Sequence, residues 1–208
     1  MDDQLAFLGT ITVIHVLGLI SPGPDFIMAI RNAITYSRKI GIFTALGIAL
    51  GVLVHISYGF AGLGLIISKS ILIFNTIKYL GAAYLIYIGI KSIRARKSTI
   101  KVEAEKPKKQ LTPMQAMKVG FLTNVLNPKA TVYFLSIFTL VMTPETPLGT
   151  FAIASTIMFV TTAIWFSLVA IFFSQKTVQK TFNRFQGAFN KFFGGLLVLL
   201  GLKIAVSE

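Results

Sequence analysis

Asp25 is the one acidic residue inside the long apolar stretches of this sequence, and Lys129 is the one basic residue far from their ends. A charge held in hydrocarbon is costly, so an ionisable residue there is a candidate for function by default. Each sits beside a proline break. The first reads Ser21-Pro22-Gly23-Pro24-Asp25-Phe26 and the second Asn124-Val125-Leu126-Asn127-Pro128-Lys129. Proline removes a helical hydrogen bond and clashes with the preceding turn. In a bilayer the freed groups need partners in protein or cavity water. Ser-Pro and Asn-Pro are also helix-start signals, a capping side chain followed by the residue suited to the first helical position. The pattern predicts two half-helices restarted inside the membrane, with partly positive N-termini that suit a carboxylate. Asp25 could bind a substrate ammonium, carry a proton or pair with Lys129. Lys129 could bind a carboxylate, balance Asp25 or extend to a surface. Asn124 and Asn127 belong with them, because unpaired amides in hydrocarbon are expensive. His15 and His55 are candidates for a proton relay. Together with Trp165, mid-span beside Thr161 and Thr162, they are candidates to line a cavity, with plain packing open for each.

Six apolar stretches carry these residues: 5–30, 42–67, 71–90, 114–142, 148–173 and 189–206. Each is about as long as a bilayer-spanning helix requires, roughly 20 residues. The 208-residue chain is 54% hydrophobic and 13% charged, with a mean hydropathy of +0.76. A soluble domain carries about 25% charged residues, so a water-soluble enzyme and a disordered chain are both excluded. The acidic start, Met-Asp-Asp-Gln, lacks the basic n-region of a cleaved signal, and the first span is expected to be retained. The net charge of +13 is unevenly placed. Connections on one side, including Arg38 and Lys39, the run from Lys91 to Lys118, and the run from Lys176 to Lys191, hold 16 of the 20 Lys and Arg residues. That side is expected to be cytoplasmic, with both termini outside. The charge is thus a topology signal that also favours anionic lipid, and no soluble domain accompanies it to suggest nucleic-acid binding.

The chain also repeats itself. Residues 82–91 align without gaps on 194–203, and Ser21-Pro22 aligns on Asn127-Pro128. With three spans per half, the halves must enter the membrane in opposite directions. The expected fold is an all-α polytopic membrane protein of six transmembrane helices. They form two inverted three-helix repeats, residues 1–94 and 114–208, joined by a basic linker, 95–113. Helices 1 and 4 are broken at the Pro motifs. Gly47 and Gly51, followed by Gly59, Gly62 and Gly64, suit close helix packing, within one subunit or across a homodimer. With no Cys and two isolated His residues, no metal site or cofactor is expected. No H-E-x-x-H, G-x-S-x-G or acid pair suggests an enzyme.

Ser-Pro-Gly-Pro followed about a hundred residues later by Asn127-Pro128-Lys129 resembles the lysine exporter / homoserine–threonine resistance (LysE/RhtB) superfamily. The resemblance extends over Gly47-Ile48-Ala49-Leu50-Gly51, Gly81-Ala82-Ala83-Tyr84-Leu85 and residues 120–130. His15-Val16, Asp25-Phe26 and residues 133–138 look most like the threonine/homoserine exporter branch. The resemblance implies an amino-acid efflux transporter of the bacterial inner membrane, coupled to protons by antiport and exporting a small neutral amino acid. Export of another amino acid such as lysine or leucine, a passive channel and an assembly factor are the alternatives. By motif, the resemblance places Ser21, Pro22, Gly23, Pro24, Asp25, Asn124, Asn127, Pro128 and Lys129 at the substrate site, with Asp25 also coupling the proton.

Overall fold

A computed structural model describes residues 2–21, 23–69, 71–95, 110–141 and 146–206. Pro22 and most of the basic linker lie outside the described residues. The described residues form helices throughout: α1 (Asp2–Ile20), α2 (Pro24–Thr35), α3 (Arg38–Lys69), α4 (Ile71–Arg94), α5 (Pro113–Val125), α6 (Pro128–Val141), α7 (Leu148–Phe173) and α8 (Lys176–Val206). Among them, Arg38–Phe60, Leu148–Phe173 and Arg184–Val206 are each long and apolar enough to cross a bilayer. Gln4–Ile20 and Pro24–Thr35 together make a fourth such segment, bent by 56°. Large apolar side chains cover the outside, among them Leu5, Leu72, Leu80, Ile153, Ile164 and Leu199, each more than half exposed. A lipid-facing surface accounts for so much exposed apolar area, which monomeric soluble proteins rarely carry.

The helices run past the apolar windows into basic ends. The largest difference is α8, which starts at Lys176, well before the apolar stretch that opens at Phe189. Its added turns mix Lys, Arg, Gln and Ala with weaker helix formers, and Phe182, Phe185 and Phe189 recur at helical spacing. Phe182 packs on Phe26 and Phe173, with ring centroids 5.5 and 4.9 Å apart. That contact fixes as helix a segment whose charges suggest a connection.

Both proline motifs interrupt helices. At the second break Asn127 Oδ1 accepts the Lys129 N–H at 3.0 Å, and Thr131 N–H reaches the Asn127 carbonyl at 3.0 Å. Asn127 therefore caps α6, with Pro128 at the first helical position. The first break differs from the Ser-Pro expectation. Helix α2 restarts at Pro24 with Gly23 as its N-cap, and no side chain caps it. The Ser21 hydroxyl is engaged elsewhere, by Lys129.

Helix α3 packs on α5 and α7, α4 on α8, and α1 on α6 and α7. Small residues set two of these approaches. A side-chain carbon on Gly47 or Gly120 would overlap the Met117 or the Thr44 carbonyl oxygen, so the backbones of α3 and α5 nearly touch. Where α4 crosses α8, a carbon added to Gly89 would lie 2.6 Å from the Gly194 carbonyl oxygen, and one on Gly194 would lie 2.6 Å from that of Gly89. Likewise a carbon on Gly201 would lie 2.8 Å from the Ala82 carbonyl oxygen. Ser92 on α4 donates to the Asn190 carbonyl on α8 at 3.0 Å. Two apolar cores result. One centres on Ile11, Val52, Leu85, Phe134, Phe138 and Met158, the other on Phe26, Ile30, Ile48, Phe166 and Val169. The two helix breaks meet between them.

Candidate functional site

A cavity of about 50 Å³ lies where the breaks converge. Its polar lining comes from His15 on α1, Ser21 and Gly23 at the first break, Asp25 on α2, Asn124 on α5, Asn127 at the second break and Lys129 on α6. Its apolar walls are drawn from both cores, chiefly Phe26, Val52, Tyr133, Phe134 and Phe166.

The two halves are cross-linked here. Asp25, the second residue of α2, directs Oδ2 at two side-chain amides of the other half. Asn124 Nδ2 donates at 3.0 Å and Asn127 Nδ2 at 3.1 Å. Lys129 reaches back to the first break, where its ammonium donates to the Ser21 carbonyl and hydroxyl, both at 2.9 Å. Each charged group thus anchors on the opposite half, and the two attract one another across the cavity. Buried charges are tolerated when hydrogen-bonded and balanced in this way. The carbonyl of Ser21, next to the break, meets a cation, as freed backbone groups in a membrane must.

Gly23 matters for space. Its backbone is extended, with φ −164°, a conformation any residue adopts. A carbon added there would lie 3.3 Å from Lys129 Nζ and 3.4 Å from its Cδ, so the lysine would have to give by a few tenths of an ångström, and a larger side chain would crowd it further.

The two histidines take different places. His15 is buried in the cavity wall, its Nε2 placed 3.1 Å from the Met158 carbonyl and 2.9 Å from Thr162 Oγ1. His55 stands behind the wall. Its Nε2 donates to the Asn124 carbonyl at 3.0 Å, its Nδ1 pairs with the Tyr58 hydroxyl, and its ring stacks on Phe134. His55 therefore holds the end of α5, and with it Asn124, rather than touching the cavity. Trp165 lies in a separate groove with Val16, Leu19, Ile164 and Leu168, and its neighbour Phe166 faces the cavity instead. Pro24 and Pro128 are exposed and open α2 and α6 without lining the cavity.

Sequence reasoning passed over Gly18, Tyr133 and Phe134. Tyr133 covers Gly18, where any side-chain carbon would overlap its ring, and its hydroxyl donates to the Ile14 carbonyl at 2.8 Å. Spacing offered a signal: Tyr133 follows Lys129 by four residues, and Gly18 follows His15 by three, so each pair shares a helix face.

Comparison with known proteins assigns the chain to a family. A family model described as LysE type translocator matches residues 16–208. The chain is 36% identical over 132 residues to a threonine efflux protein of Escherichia coli (strain K12), covering 63% of this chain and 64% of that one. It is 34% identical over 143 residues to an uncharacterized membrane protein of Bacillus subtilis (strain 168), 66% of each chain. An uncharacterized membrane protein of Haemophilus influenzae is 31% identical over 153 residues, 72% of each. The match spans just under two thirds of the length of the first two relatives. No solved structure matches. A family match over nearly the whole chain, added to apolar helices broken at paired proline motifs, means that this membrane protein belongs to the LysE type translocator family.

Proposed function

We propose that the protein is an amino-acid efflux carrier of the bacterial inner membrane, exporting a small neutral amino acid such as threonine or homoserine by proton antiport. The observation that carries the reading is a pair of opposite charges, Asp25 and Lys129, brought from two helix breaks to one cavity. An amino acid is a zwitterion, and a site with one anchor of each sign recognises the part common to every member of the class. The similarity to threonine efflux proteins favours threonine among them. Ser21, Gly23, Asn124 and Asn127 complete the substrate site around the two charges. Pro24 and Pro128 begin the helices that follow the breaks. Asp25 also carries the coupled proton.

The cavity is small, about 50 Å³, and in this reading loading an amino acid moves the surrounding helices apart. Two inverted repeats of three spans, with both termini outside the cytoplasm, supply that motion by rocking. The α4–α8 crossing supports the repeat. Under the alignment of 82–91 with 194–203, Ala82 corresponds to Gly194 and Gly89 to Gly201. The contact between Gly89 and Gly194 and the contact between Ala82 and Gly201 are then the same contact exchanged. Residue numbers rise along α4 as they fall along α8, so the corresponding helices pack antiparallel about a local two-fold axis.

The test is flux of labelled threonine, homoserine, lysine and leucine in proteoliposomes, with and without an imposed pH gradient. Saturable movement of threonine or homoserine, stimulated by the gradient and losing that stimulation in Asp25→Asn, is the expected result. Preference for lysine or leucine would change the substrate. Unsaturable movement would make the protein a channel, and gradient-driven export by Asp25→Asn would remove the aspartate from coupling.

A further inference from the structure

Three residues of the cavity's polar wall each hold a buried acceptor atom without a donor. Among the described residues, five buried side-chain polar atoms have no hydrogen-bond partner: His15 Nδ1, Asp25 Oδ1, Asn124 Oδ1, Trp165 Nε1 and Gln186 Oε1. The first three belong to residues of this one cavity, and the last two do not.

The neighbours fix all three as acceptors. Asn124 turns one end of its amide to Asp25 Oδ2 at 3.0 Å. A carboxylate oxygen accepts, so that end is the nitrogen and the unmatched end is the carbonyl oxygen. Asp25 receives both amide donors on Oδ2, so Oδ1 keeps its lone pairs. His15 Nε2 faces the Met158 carbonyl, which can only accept. Thr162 gives its own hydroxyl proton to that carbonyl at 2.7 Å, so it too offers His15 only a lone pair. Nε2 therefore carries the ring proton, and in the neutral imidazole Nδ1 is an acceptor.

We propose that His15, Asp25 and Asn124 form the seat for the ammonium group of the transported amino acid, their three acceptor atoms meeting its three N–H donors. The proposal rests on the carrier reading above and assigns the substrate's orientation within that site. A buried acceptor stays costly until a donor arrives. An ammonium supplies three donors and the countercharge to Asp25 in one group, whereas a water supplies two and no charge. His15 gains a role that its sequence context does not announce: α7 takes its protonated nitrogen and leaves the other nitrogen as a buried acceptor on a residue of the site.

The full chain, purified in detergent, is titrated with L-threonine and its N-methyl, N,N-dimethyl and N,N,N-trimethyl derivatives, and binding is followed by thermal stabilisation. The charge is the same along the series while the N–H donors fall from three to none. Affinity is expected to drop stepwise, by roughly tenfold or more overall, as it does when buried polar groups of a site lose their partners. His15→Leu should flatten the series, and His15→Gln, which keeps an acceptor, should restore part of the gradient. A merely structural histidine would weaken all four ligands equally. Equal affinity along the wild-type series, or binding of none of them, overturns the seat. So does saturable stabilisation by sodium chloride over N-methylglucamine chloride that is lost in the same variants, which would assign the acceptors to a metal cation. If His15→Leu does not fold, the wild-type series decides alone. Graded binding without flux would remove the carrier and keep the seat, and flux with an ungraded series would do the reverse.

Discussion

Replacing Asn127 by Ser and by Ala separates two tasks that one side chain performs. Asn127 Oδ1 caps α6 through the Lys129 N–H at 3.0 Å, while Nδ2 donates to Asp25 at 3.1 Å. Ser is as good an N-cap as Asn, and Ala loses about 1 kcal/mol of capping. Neither carries an amide to reach the carboxylate. A hydrogen bond to a charged group contributes about 1.5–3 kcal/mol, and tenfold corresponds to about 1.4 kcal/mol. If transport uses the bridge in full, both variants should lose roughly 10- to 150-fold in the ratio of maximal flux to half-saturation. Their unfolding midpoints in detergent should differ, Ala falling below Ser by the missing cap. The assay is therefore paired: initial flux in proteoliposomes against substrate concentration, and thermal unfolding of the same preparations. Wild-type flux in Asn127→Ser would refute the claim that the bridge between the halves serves transport. Equal midpoints for Ser and Ala would refute the cap.

Four further expectations follow from the packing. Gly23→Val should keep the fold, since the backbone there is extended, yet lose substrate binding because the side chain displaces Lys129. Normal binding in a folded Gly23→Val protein would contradict this. Lys129→Met leaves Asp25 without its countercharge and should cost about 3–5 kcal/mol, visible as a lowered unfolding midpoint, whereas an unchanged midpoint would show the charge to be idle. Gly120→Ala drives a carbon into the Thr44 carbonyl and should cost about 1–3 kcal/mol, while Gly9→Ala, with open space around it, should be neutral or slightly stabilising. Equal effects would refute the close approach of α3 and α5. The chain has no cysteine, so Ser98→Cys and Gly149→Cys can be labelled singly. The first should react only from the cytoplasmic face and the second only from outside, and the opposite pattern would invert the proposed topology.

The helical segments were legible because hydrocarbon imposes a coarse rule. A stretch of apolar residues has to be helical there, and α7 begins and ends where its apolar stretch does, Leu148–Phe173. The start of α8 was hidden because charge masked helical spacing: Phe182 shows its meaning only beside Phe26 and Phe173. The restart at Pro24 was hidden too. Two X-Pro pairs compete within four residues, and the Ser21 hydroxyl that would cap the first is taken by Lys129, more than a hundred residues away. Asp25, Asn124, Asn127 and Lys129 could be read as a site because polar groups stand out against hydrocarbon. Tyr133 and Phe134 could not, since an aromatic that walls a cavity has the same composition as one that fills a core. Likewise no local signal says which of two histidines faces the cavity. That is settled by Met158 and Thr162 for His15 and by Tyr58 and Asn124 for His55.

The crossing of α4 and α8 constrains how this protein can vary by inheritance. Where two side chains meet in a core, a harmful enlargement of one can be rescued by shrinking the other, and selections for revertants find such paired changes. Opposite Gly89 stand the carbonyl oxygen of Gly194 and Val198 Cγ2, and opposite Gly194 the carbonyl oxygen of Gly89 and Ile93 Cγ1; trimming Val198 or Ile93 relieves only the side-chain part of the clash. A carbonyl oxygen is the same atom in every amino acid, so no replacement at the facing position can make room. Revertants of Gly89→Ala should therefore be true reversions, or changes elsewhere along α4 and α8 that let the whole helix shift. The crossing is a locus at which the genetic code has no compensating letter to offer.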